Sequence, residues 1–109
     1  MAQRRLRKID ILERDLKPGL TIAQVKELAA SLKLLEDRYL ARPAAIVLIE
    51  RGDPDSDKLQ AGLDATPVLG RDPHGDKLRL AFKQAMDREG IPPEVEEMAR
   101  HFYARRRRR

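Results

Sequence analysis

Residues 21–42, Thr21-Ile22-Ala23-Gln24-Val25-Lys26-Glu27-Leu28-Ala29-Ala30-Ser31-Leu32-Lys33-Leu34-Leu35-Glu36-Asp37-Arg38-Tyr39-Leu40-Ala41-Arg42, decide the fold. Within them Val25, Leu28, Leu32, Leu35 and Tyr39 recur at steps of three and four, the spacing of one helix face. Ile22, Ala29 and Leu40 widen that stripe. Thr21 offers a hydroxyl to the first free N–H groups, and Gln24 completes a capping box. The pattern predicts one helix over about residues 22–41, with the five seam residues as a core face or a partner interface. A helix-turn-helix division into Ile22–Ala29, a turn through Ala30-Ser31-Leu32, and Lys33–Arg42 fits less well. Such turns often contain glycine, none is present, and the seam runs through uninterrupted.

Toward the N-terminus, Leu6, Ile9, Leu12 and Leu16 predict an amphipathic helix over about residues 3–17, stopped by Pro18-Gly19. The short turn to the next helix argues for an antiparallel αα-hairpin. Toward the C-terminus, Pro43 is expected to end or kink the long helix, because its ring disfavours helical geometry at Arg42. Ala44–Ile49 is apolar throughout. Pro43 before it and Gly52 after it favour a short helix, while Ile46, Val47 and Ile49 favour a strand; helix is preferred.

Residues 52–75 are rich in proline and glycine and read as a long mobile loop, with a short helix at about residues 56–63. A helix capped by Asp76 then runs through Leu78, Phe82 and Met86 to Gly90. A last one opens at Pro92-Pro93, with Glu94, Glu96 and Glu97 in its first turn, where the helix dipole favours negative charge. The expectation is an all-α domain over residues 1–104, with four to five helices, an N-terminal αα-hairpin and a long central loop. A basic tail, residues 105–109, follows.

The 109 residues suffice for one core, and with an aromatic share of 4% that core must be aliphatic. A leftover apolar face makes self-association the expectation. There is no cysteine, which removes disulfide scaffolds, thiol nucleophiles and thiolate metal sites. The basic N-terminus is not followed by an apolar signal core, and the longest apolar run, Pro43–Ile49, falls far short of the roughly 20 residues of a membrane span. A cytoplasmic protein with no membrane partner is expected.

Charge is distributed unevenly. The chain carries 23 Lys and Arg against 18 Asp and Glu. Setting aside Arg105–Arg109 leaves 18 against 18, and setting aside Arg4, Arg5, Arg7 and Lys8 as well leaves 14 against 18. A mildly acidic body with basic ends is the footprint of terminal arms that meet a polyanion.

Arg105, Arg106, Arg107, Arg108 and Arg109 could each grip a phosphate bidentately without a preformed pocket. Arg100 and Tyr103 lie just before them, Tyr103 as a platform for an unpaired base. Phe102 is assigned to the core. Arg4, Arg5, Arg7 and Lys8 form a second basic cluster, which joins the first if the termini are close. A sequence-independent nucleic-acid contact is preferred over an acidic protein surface.

No catalytic motif is present, no cofactor or metal is implied, and the only serines are Ser31 and Ser56. Asp53, Asp55 and Asp57 with Asp64 have part of the spacing of a calcium loop, but Lys58 stands where it requires glycine; a helix start explains them better. His74 and His101 lack any spaced partner. Arg51-Gly52-Asp53 spells an adhesion tripeptide by chance. The function expected is a non-enzymatic, oligomeric nucleic-acid-associated protein. The alternative is an assembly or adaptor factor, such as a component of a viral or ribonucleoprotein assembly, whose tail docks an acidic surface.

Overall fold

A computed structural model describes residues 6–67 and 72–104. Among them are six α-helices and no strand: α1 Lys8–Asp15, α2 Ile22–Ser31, α3 Asp37–Glu50, α4 Ser56–Ala65, α5 Pro73–Glu89 and α6 Pro93–Ala99. A π-helical turn, Arg100–Ala104, continues α6. The all-α expectation holds, with more helices than the four or five expected.

The extra helix count begins in the stretch that decides the fold. Residues 22–41 form two helices, not one. Thr21 caps α2 as expected, its hydroxyl accepting from the Gln24 N–H and the Gln24 side chain accepting from the Thr21 N–H. After Ser31 the chain turns. Lys33 adopts φ 58°, its N–H bonds to the Ala30 carbonyl, and the Leu34 N–H reaches the Ala29 carbonyl. This is a Schellman ending, built with lysine where glycine is usual. Ser31 Oγ also donates to the Leu28 carbonyl, at 2.8 Å. Beyond the turn the helical phase slips. Leu34 packs against the core and Leu35 is exposed, so the three-and-four spacing across Leu32–Leu35 is coincidental.

α3 holds the centre. It packs against α4, α5, α6 and the π turn, so it has apolar neighbours on several sides. That explains why Ala44–Ile49 is apolar at every position: it is the second half of a surrounded helix, not a strand. Pro43 does not end α3 but lies buried inside it. Lacking an N–H, it cannot bond to the Tyr39 carbonyl one turn earlier. Ala41, Ala44 and Ala45 are fully buried, small enough for neighbouring helices to approach closely.

One further expectation is corrected. The N-terminal αα-hairpin is not formed as such: α1 and α2 both make their principal contacts with α5. The short helix expected at about residues 56–63 within the long loop is present as α4, Ser56–Ala65, and buries Leu59 and Leu63. Residues 68–71 of that loop lie outside the described residues. The core is mainly aliphatic, with two aromatics, Phe82 and Tyr39, among Leu12, Val25, Val47, Leu59, Leu78, Met86 and Val95. α5 starts slightly earlier than Asp76, with Asp72 accepting from the Gly75 N–H, and stops at Gly90, whose φ of 92° favours glycine.

Candidate nucleic-acid interface

The basic run Arg105–Arg109, with Arg4 and Arg5, lies outside the described residues, so the site is built from what surrounds its attachment point. Pro93 opens α6, its missing N–H costing nothing at a position with no intrahelical acceptor. Val95 and Ala99 bury one side of the helix. Past Ala99 the helix widens into the π turn, whose backbone settles on α4. Gly62 makes this contact possible: a Cβ there would collide with the Tyr103 carbonyl.

Arg100 locks the turn. Its guanidinium meets Asp53 in a two-pronged contact, Nη2 to Oδ1 at 2.7 Å and Nη1 to Oδ2 at 3.1 Å. Nη1 also reaches Asp55 at 3.1 Å, and Nε reaches Glu96 one turn back at 3.2 Å. The Asp53 side chain is only 11% exposed. Hydrogen bonding from Arg100 holds its carboxyl below the usual range, and the same contact raises the Arg100 pKa further. Arg100, expected among the phosphate ligands, is thus engaged by three carboxylates.

The aromatic assignments are exchanged. Tyr103 is partly buried against the core, whereas Phe102 is 50% exposed and is the aromatic displayed next to the arginine run. Exposed His101 contacts it edge-on, with ring centroids 5.5 Å apart. No spacing rule distinguishes the two rings, because a π turn shifts the face that each residue presents relative to an α-helix.

At the other end, Arg7 precedes α1 and binds Asp10 through Nε at 3.0 Å and Nη2 at 3.2 Å, which raises the Arg7 pKa. Lys8 opens α1 and has no ion-pair partner among the described residues. The two basic ends attach to different parts of the fold, α1 against α5 and the π turn chiefly against α4 and α6.

Elsewhere in the body, arginine is consumed by the fold. Arg42, Arg51 and Arg88 donate to the carbonyls of Thr66, Met86 and Leu20. Arg14, Arg38 and Arg79 pair with Asp15, Glu36 and Asp76. With Arg7 and Arg100, every arginine among the described residues has an intramolecular acceptor. Carboxylates are less fully matched: Asp37, Glu94 and Glu97 have no partner among those residues. These three rim one open groove of about 680 Å³, together with Asp55, Met98, Arg100, His101, Phe102 and Ala104.

The seam expected as a partner interface is not one face. Val25 and Tyr39 are buried, Leu28 and Leu32 pack partly into the core, and only Leu35 is exposed. Tyr39 has the guanidiniums of Arg38 and Arg79 near its ring, 5.3 and 5.7 Å from its centre. Exposed apolar surface lies instead between α1 and α5, in a groove of about 380 Å³ where Leu16, Leu80 and Ala81 lie over the buried Leu12. Leu80 is 58% exposed.

Of the calcium-spaced carboxylates, all but Asp57 have structural partners. Asp53 and Asp55 serve Arg100, Asp64 accepts from Gln60, and the Ser56 hydroxyl donates to the Asp53 carbonyl. Among the described residues no group of three or more His, Cys, Asp or Glu could hold a metal ion. No helix among them is long and apolar enough to cross a membrane. Comparison of the chain with protein-family models, with curated proteins and with solved structures finds no match.

Proposed function

We propose that this chain is a non-enzymatic, nucleic-acid-associated helical protein that holds phosphate backbone through its basic ends without reading sequence. One observation carries the reading: every arginine among the described residues is committed to an intramolecular acceptor. Of the eight arginines beyond those residues, five form the run Arg105–Arg109, which follows the exposed Phe102 in sequence. Lys8 adds a cation at the other end, near Arg4 and Arg5. Phosphate contact needs no pocket, and a short arginine arm suits it. Phe102 takes the stacking role first expected of Tyr103.

The test is fluorescence anisotropy with labelled duplex DNA, single-stranded DNA and RNA, titrated with the full chain and with a chain ending at Ala104, at two salt concentrations. Five phosphate contacts give a log–log salt slope of about −4.5 on duplex, and truncation flattens it. No binding by either chain at low salt overturns the reading.

A second reading, an assembly factor, draws support from the groove between α1 and α5. Leu80 is displayed there beside Leu16 and Ala81, an apolar surface able to take a helix from another chain or a second copy. Leu80→Asp would abolish such association without unfolding the domain, because Leu80 lies outside the core. Sedimentation of the two proteins at micromolar concentration distinguishes them.

A further inference from the structure

The groove at the root of the arginine tail has the opposite charge to the tail. Asp37 at the start of α3, and Glu94 and Glu97 on α6, line it as exposed carboxylates without partners among the described residues. In a body whose other carboxylates nearly all have a cation or an N–H donor, only Glu27 and Asp57 share that condition. Met98 and Phe102 supply an apolar wall. Ala104, the residue to which Arg105 is joined, lines the same groove.

We infer that the groove is the resting dock of the chain's own arginine tail, residues 105–109, which polyanions must displace. Five residues extend at most about 18 Å, at 3.3–3.6 Å each, and an arginine side chain adds further reach. The tail is joined to Ala104, part of the groove's own lining, so its local concentration there is that of a very short tether. Guanidiniums pair with Asp37, Glu94 and Glu97, and their flat faces lie on the exposed ring of Phe102. Binding in cis and binding to phosphate use the same donors and are therefore mutually exclusive. A tail docked about two-thirds of the time weakens apparent polyanion affinity about threefold. That regulatory consequence rests on the phosphate-binding reading above; the docking itself does not.

The experiment compares amide NMR spectra of the full chain, the chain ending at Ala104, and a full-length variant with Arg105–Arg109 all replaced by Gln. The Gln variant separates charge from the mere presence of residues. At 50 mM salt, signals of Asp37, Glu94, Glu97 and Phe102 are expected to differ between the full chain and both variants. The differences should collapse at 500 mM salt and be independent of protein concentration. Differences confined to residues adjoining the tail overturn the proposal, and concentration-dependent ones overturn it in favour of docking onto a second copy.

A second arm uses labelled single-stranded DNA with the triple variant Asp37→Asn, Glu94→Gln, Glu97→Gln. Affinity is expected to rise about threefold, against a much smaller rise for the control Glu27→Gln, Asp57→Asn, whose carboxylates lie outside the groove. Equal rises per charge removed would show long-range attraction alone and overturn the autoinhibitory role. If the NMR differences appear but no variant binds DNA or RNA, the dock stands and the nucleic-acid reading falls.

Discussion

Arg100 and Arg105 are five residues apart and chemically identical, yet one is spent inside the fold and the other begins the run on which the proposed function rests. Arg100 sits where α6 widens, within reach of Asp53, Asp55 and Glu96, and its geometry is set by three acceptors. Arg105 follows the last described residue, Ala104, which lines a solvent-open groove with Asp37, Glu94 and Glu97. Local sequence does not assign these roles. What separates them is whether carboxylates from elsewhere in the chain are held against the guanidinium by packed helices, or merely lie near it.

The largest expected effect tests the tail side of that contrast. Across a fourfold rise in salt, the full chain should lose about 500-fold in duplex affinity, following the slope for five contacts. Replacing Arg105–Arg109 with Gln should reduce the loss to below tenfold, with an unchanged helical circular-dichroism spectrum. A steep slope that survives the replacement would put phosphate binding on the body and break the comparison.

Next come substitutions that loosen the Arg100 side. Gly62→Ala places a methyl against the Tyr103 carbonyl, so the π turn must shift off α4. A loss of about 1–3 kcal/mol is expected, read as a lowered midpoint in urea denaturation. Arg100→Gln leaves Asp53 and Asp55 without their cation, at about 1–2 kcal/mol, a figure reduced because the Arg100 side chain is 32% exposed. DNA affinity should not fall with it. If it does fall, Arg100 shares the work of the tail.

A smaller effect is expected in acid. The Asp53 carboxyl is held below its ordinary range by Arg100, so its contribution is complete above the unfolded value of about 3.9. It is lost as pH falls through the lower folded value. Thermal melting from pH 6 down to pH 2 should show a drop in Tm in that acidic window for the natural chain. The drop should be smaller for Arg100→Gln, in which no guanidinium depresses the carboxyl.

The smallest effect concerns a parallel pair of helix ends. α3 closes with Gly52 at φ 75°, its N–H on Ile49 and the Asp53 N–H on Leu48, the same pattern that closes α2 with Lys33 at φ 58°. Glycine enters this conformation freely and lysine does not. Lys33→Gly should therefore stabilise the domain by about 0.5–1 kcal/mol, the backbone relief being partly offset by greater freedom of the unfolded chain. Denaturant midpoints measure it, and a loss of stability would show that the Lys33 side chain contributes something its exposure does not suggest.

That pair of ends also shows how far the fold was legible. Gly52, Gly90, the Pro92-Pro93 start and the Thr21–Gln24 cap were readable because each acts through its own backbone or a neighbour within four residues. The break after Ser31 was not, since it uses no glycine and the apolar spacing crosses it by coincidence. The helical state of Ala44–Ile49 is decided by neighbours on several sides, and Pro43 is tolerated inside α3 because packing outweighs one missing hydrogen bond.

By itself, then, the sequence determined the all-α class, most helix starts and stops, and the concentration of arginine at the ends. Only the tertiary structure decided that α1 and α2 pack on α5, that Phe102 rather than Tyr103 faces solvent, and that Arg100 is consumed by Asp53 some 47 residues away. Propensities, caps and charge runs act over one helical turn. Burial and ion pairing depend on which surfaces meet, and residues distant in sequence supply those surfaces.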